Sequence, residues 1–168
     1  LNRIPGILIA LFLFLTCHSG LTAERVALVI GNGDYKHGSV LPNPPADARD
    51  VAAALQGCGF SLVRGKPLAN LSHEDMEAAL AEFAKESAKA KVSLFFFAGH
   101  GFELDANNYL VPVDAEVEEE YQVKHRTVAL DEVLGAMAEG GEDLLKIVIL
   151  DCCRDNPLGR GWTRTSSK

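Results

Sequence analysis

Val92–Ala98 (VSLFFFA) decides the architecture, and the rest of the chain is read outward from it. Seven residues with three successive phenylalanines carry no polar face and are too few for a buried helix. That is the pattern of a strand covered on both sides, as in a parallel sheet. The run ends in Gly99-His100-Gly101. A second apolar run, Leu145–Leu150 (LKIVIL), is expected to be doubly buried too and ends in Asp151-Cys152-Cys153-Arg154. A third, Arg25–Ile30 (RVALVI), ends in Gly31-Asn32-Gly33-Asp34-Tyr35.

Helical patterns separate these runs. Asn43-Pro44-Pro45 predicts a helix start, with Asn43 as cap and proline in the first turn, where amide donors are unpaired anyway. Val51, Ala52, Leu55 and Gln56 continue it until Gly57 or Gly59, and Phe60–Val63 reads as a short strand. Ser72, with Asp75 three residues on, predicts the cap of a helix whose apolar stripe is Met76, Ala79, Leu80 and Phe83. After Gly101 a hairpin is expected through Asp105-Ala106-Asn107-Asn108 into Tyr109-Leu110-Val111-Pro112. Ala115–Thr127, with its acidic run Glu118–Glu120, reads as a solvated excursion, and Leu130–Glu139 as a helix ending before Gly140-Gly141. The alternation predicts an α/β fold: a mostly parallel sheet with helices on both faces.

Composition narrows the function classes. The 168 residues are enough for one domain, and 48% hydrophobic residues with 23% charged ones exclude a disordered chain. With 16 Lys and Arg against 23 Asp and Glu, the net charge of −7 argues against a phosphate-backbone binder, so no nucleic-acid partner is expected. Four cysteines are too sparse for a disulfide-built scaffold. Arg3, the apolar run Ile7–Leu15 and the small-residue exit at Ala23 make residues 1–23 a signal peptide, which implies an exported protein, periplasmic or secreted. The alternative is an uncleaved N-terminal membrane anchor. Residues 24–159 form the domain, and 160–168, with Arg160, Trp162 and Arg164, a disordered tail.

Parallel sheets bind ligands at the carboxyl ends of their strands. Gly31-Asn32-Gly33 begins like a dinucleotide fingerprint, but Lys36 stands where the third glycine belongs. The other two ends combine into chemistry. An imidazole flanked by glycines and a thiol at a neighbouring strand end supply the minimum for nucleophilic catalysis, since the imidazole takes the thiol proton and the thiolate attacks a carbonyl. His37, His73 and His125 lack zinc spacing, so no metal site is assigned, and Cys58 is expected in the core.

Taken together, RVALVIGNGDY, LPNPPADA, FFFAGHGFE, NYLVPVDA and LDCCRDNPL resemble, in the same order, segments of the bacterial caspase/metacaspase group of cysteine peptidases. The resemblance spans about Arg25 to Gly159 and implies a three-layer caspase-like sandwich, of which the chain holds the large-subunit part. It implies Cys153 as nucleophile, His100, 53 positions upstream, as general acid and base, and the backbone amides of Gly101 and Cys153 as oxyanion hole. It further implies that Asp47 and Asp151 hold a basic P1 residue of a peptide or protein substrate, hence cleavage after Arg or Lys. A buried carboxylate pair is costly unless a cation enters between them. No cofactor is implied beyond a Ca²⁺ candidate at Glu116–Glu120.

The chain departs from the family pattern in three places. Cys152 precedes the nucleophile where Ala or Ser is usual, and Ala98 stands where metacaspases often place a pocket serine. Lys168 comes before the small-subunit half, so the C-terminal part of the domain is expected to be missing: either the sequence is truncated, or the rest comes from a complementing chain or a homodimer, or the chain is a remnant with little activity. The rival readings are a non-catalytic caspase-like interaction module or truncated remnant, and a flavodoxin-like or receiver domain on the same sheet.

Overall fold

A computed structural model describes residues 24–138 and 143–152. Strand β1 (Arg25–Gly31) leads into α1 (Pro44–Gly57), β2 (Ser61–Leu62), a 3₁₀ turn (Val63–Gly65), β3 (Leu68–Ala69), α2 (His73–Ser87) and β4 (Val92–Gly99). They are followed by β5 (Gly101–Leu104), β6 (Asn107–Leu110), α3 (Glu120–Arg126), β7 (Val128–Ala129), α4 (Leu130–Ala138) and β8 (Leu145–Cys152). The main sheet runs β2-β1-β4-β8, with β3 also pairing β1, and all of these pairs are parallel. The predicted α/β class holds.

The sequence of β4 explains its central place. Phe95 and Phe97 point to one face, where they pack with Leu28 and Ile30 of β1, Met76 and Phe83 of α2, and Met137 of α4. Leu94, Phe96 and Ala98 point to the other, against Ala48 and Ala52 of α1. Helices therefore cover both faces, and each buried aromatic ring removes about 150–250 Å² of surface from water. Register aligns the strand ends. Gly31 pairs with Ala98, Ala98 with Asp151, and Gly99 with Cys152, so the three end motifs meet at one edge. Gly31 also lets α1 close on the sheet, because a Cβ there would lie 2.2 Å from the Pro44 carbonyl oxygen.

The expected cap of α2 forms, with the Ser72 hydroxyl accepting from the Asp75 amide at 3.2 Å, and Met76, Ala79, Leu80 and Phe83 are all buried. Elsewhere the structure corrects the reading. Asn43 occupies the cap position of α1 but makes no side-chain cap bond. Its carbonyl accepts from the amides of Ala46 and Asp47 instead, and the two prolines before them have no amide to satisfy. Only Ser61–Leu62 of Phe60–Val63 is strand. Cys58, placed in the core by the sequence reading, is exposed, because the helix ends at Gly57 and turns the chain outward there.

Strand β8 is not buried on both faces. Val148 and Leu150 pack onto the α2 side, but Leu145 and Ile149 are 58% and 43% exposed, because α1 lies over β1 and β4 rather than over β8. The hairpin expected after Gly101 turns at Asp105-Ala106, both with positive φ, and β5, β6 and β7 form a small antiparallel sheet. Ala115–Thr127 is no solvated excursion. Ala115, Val117 and Val123 are buried beside Tyr35, Phe102 and Val113, and Gln122 Oε1 accepts from the amides of Glu118 and Glu119 at the start of α3. The signal-peptide segment 1–23 and the tail 160–168 lie outside the described residues. No helix among the described residues is long and apolar enough to cross a membrane.

One buried side chain joins the two sheets. Asn32, fully buried at the end of β1, accepts from the Leu71 amide at 2.9 Å through Oδ1 and donates from Nδ2 to the Val111 carbonyl at 3.1 Å. Its backbone amide donates to the Ala98 carbonyl at 2.9 Å. Replacing Asn32 by Ala leaves a buried donor and a buried acceptor unpaired, and should lower unfolding free energy by about 3 kcal/mol in urea denaturation. An unchanged midpoint and slope would contradict this account of the junction.

Candidate active site

The aligned strand ends open onto a cavity of about 380 Å³. It is lined by Leu41, Pro42, Asn43, Pro44 and Asp47 from the entry to α1, by Ala98 and Gly99 of β4, and by Asp151 and Cys152 of β8. Asp47 and Asp151, named together by the sequence reading, thus face one space although 104 positions separate them. Ala98 lines the same space, as the pocket-serine correspondence implies. The volume lies near the lower end of the roughly 300–1,000 Å³ usual for ligand pockets. One physical argument needs correction: Asp47 is only half-buried and Asp151 is exposed, so the pair escapes most of the desolvation cost of two buried carboxylates. What it offers a cation is attraction near a protein surface, about 4 kcal/mol for unit charges 4 Å apart at an effective dielectric of 20.

His100 directly follows Gly99, which lines the cavity, and contacts Ser39 and Tyr35. Its Nε2 lies 2.8 Å from the Ser39 carbonyl oxygen. A carbonyl only accepts, so this bond places the ring proton on Nε2, and in the neutral imidazole Nδ1 is then the basic nitrogen. The His100 backbone amide donates to the Tyr35 hydroxyl at 2.8 Å, and the two rings lie 4.5 Å apart, inclined by 53°. Burial pushes the Tyr35 phenol well above its ordinary range, an effect only partly offset by the His100 amide donating to it and reinforced by charge on Cys152. Burial thus favours the neutral phenol.

Gly101 opens β5, buried and paired with Leu110. Cys153, expected as nucleophile and as one donor of the oxyanion hole, lies outside the described residues, as do Arg160, Trp162 and Arg164. Cys152, the last described residue, is half-buried and packs against the core on the α2 face. Among the described residues no group of three His, Cys, Asp or Glu is arranged to hold a metal ion, and Glu116 lies 3.9 Å from His37. The sequence reading missed Ser39 and Tyr35 as neighbours of the imidazole. Ser39 acts through a carbonyl, which every residue carries, so no side-chain pattern could reveal it. Tyr35 was visible in the first end motif, but only the fold brings it to His100.

These features define an α/β domain with its candidate site at the carboxyl edge of a parallel sheet. A family model described as the caspase domain, peptidase family C14, matches residues 24–168, and the chain belongs to that family. Its relatives include the human mucosa-associated lymphoid tissue lymphoma translocation protein 1, 32% identical over 139 residues, which are 83% of this chain and 16% of that protein. The homolog from Mus musculus is 32% identical over 134 residues, 80% of this chain and 15% of that protein. The chain therefore spans about a sixth of the length of these curated relatives.

Gly99 ties the site together sterically. It has φ +155°, and a Cβ there would stand 2.5 Å from the Tyr35 hydroxyl and 2.9 Å from the Phe97 ring. Gly99→Ala should lower unfolding free energy by about 3 kcal/mol, combining a disfavoured backbone region with overpacking. Chemical denaturation measures it, and a variant as stable as the parent would show that neither constraint acts.

Proposed function

We propose that the chain acts as a cysteine endopeptidase that cleaves after Arg or Lys, with Cys153 as nucleophile and His100 as general acid and base. The observation that carries the reading is the cavity at the strand ends, where Asp47 and Asp151 share one space with Gly99, the residue before His100. The basic P1 side chain of a peptide or protein substrate enters that cavity. Its carbonyl then lies toward Gly101 and Cys153, whose amides receive the developing oxyanion. His100 takes the Cys153 proton, the thiolate forms a bond to the carbonyl carbon, and the tetrahedral intermediate collapses with cleavage of the C–N bond. The amine leaves with the proton that His100 held. Water, deprotonated by His100, then attacks the thioester, releasing the acid and restoring the thiol. No step needs a metal. Membership of the peptidase family supports the reaction class, and the acidic cavity supports the P1 preference.

Two measurements test the reading. Cys153→Ala should reduce hydrolysis of an Arg-P1 fluorogenic peptide by more than about 1,000-fold, while Cys152→Ala keeps most of it. A Cys153→Ala protein as active as the parent overturns the assignment. Asp47→Asn should reduce kcat/KM for Arg-P1 peptides by about tenfold and leave a citrulline-P1 peptide, equal in shape but uncharged, almost unaffected. An equal loss on both peptides removes the electrostatic basis of the specificity.

A further inference from the structure

We propose that Tyr35 is the positioning residue of the His100 imidazole, acting through its hydroxyl as well as its ring; this rests on the reading of His100 as general acid and base. A buried tyrosine hydroxyl must find a hydrogen-bond partner somewhere, so the choice of partner is what bears on its role. Here the hydroxyl accepts the His100 backbone amide at 2.8 Å, and the ring packs against the imidazole at 4.5 Å. The backbone bond sets the direction in which the histidine side chain leaves the chain, and the ring contact limits its rotation. The Ser39 carbonyl then fixes Nε2. Backbone, ring face and ring nitrogen are each constrained by a different group.

Tyr35 is itself rigid enough for the task. It is 3% exposed, its amide donates to the Gly33 carbonyl at 3.1 Å, and the next amide, of Lys36, donates to the Val113 carbonyl at 2.8 Å. The Leu41 amide donates to the same Gly33 carbonyl at 2.9 Å, so the loop that supplies Tyr35 also supplies Ser39 and is closed on itself. The space for the hydroxyl is reserved by Gly99, where any Cβ would occupy it. Burial disfavours the phenolate, so the hydroxyl meets the His100 amide as a neutral acceptor. Catalysis is sensitive to such placement, because the nucleophile and its base must meet in a near-attack geometry that a misplacement of about 1 Å can spoil by 100-fold.

Tyr35→Phe in the full chain removes the hydroxyl and keeps the ring. The expected result is a kcat about tenfold lower with KM changed by less than about twofold, while the melting temperature stays within about 4 °C of the parent. In a Cys153→Ala background, where no turnover is needed, the His100 ring resonances, identified by their loss in His100→Gln, should shift and titrate at a different pH in Tyr35→Phe. The parent provides a second measurement, since the His100 amide proton should exchange slowly with solvent. Ring resonances and titration identical with and without the hydroxyl, or an amide that exchanges as if unprotected, overturn the proposal. A parent that cleaves no Arg- or Lys-P1 peptide overturns the peptidase reading instead, and the resonances and exchange rate still decide the role of Tyr35.

Discussion

The structure depends on a single buried amide. Asn32 sits where β1 stops being strand, and its side chain bonds to the loop before α2 and to the segment after β6, while its backbone bonds to β4. A polar group with no exposure is tolerated only when its hydrogen bonds are made, and once made they allow little rearrangement. The main parallel sheet and the small antiparallel sheet are thereby held in one relation. Tyr35 follows three residues later and His100 one residue after the end of β4, so the geometry around the imidazole is inherited from this junction.

Charge and precision are kept apart in the site. The imidazole meets the Ser39 carbonyl and the Tyr35 ring, and the Tyr35 hydroxyl accepts from the His100 backbone amide. The two carboxylates line the cavity, and neither is among the groups that contact the imidazole above. On the proposed reading this separation has a physical use. The groups that orient the histidine do not change charge when a cation enters the cavity, so binding the substrate does not disturb the aim of the base. Asp47 and Asp151 remain open enough to be hydrated when no substrate is present, and the empty site needs no counterion buried between them.

Much of the fold was legible because its signals are local and strong. Three phenylalanines in a row made β4 a buried strand, and the Ser72 cap with the Met76 to Phe83 stripe made α2. The paired carboxylates were legible only through likeness to a family, since nothing in the spacing of Asp47 and Asp151 brings them together. Other features escaped for physical reasons. The apolar run of β8 implies a doubly covered strand, but periodicity cannot reveal how far a neighbouring helix extends. The acidic run hid α3, whose anchor is one buried valine, Val123. Asn43 has the right side chain for a cap, yet the proline turn lets the backbone accept the first bonds and leaves the amide unused. A carbonyl that orients a histidine has no sequence signature.

The order of strands across the sheet has a consequence for how the molecule comes into being. Strand β8 is the last element described, and it supplies Asp151 and Cys152 by pairing with a strand more than fifty residues earlier. A ribosome delivers the histidine, its aromatic support and Asp47 first, and domains emerge from the amino terminus. The acidic cleft is thus completed only once β8 has been made, by a long-range parallel contact of the kind that forms slowly. Until then a nascent chain carries the histidine and Asp47 without Asp151, and so only half of the acidic pair.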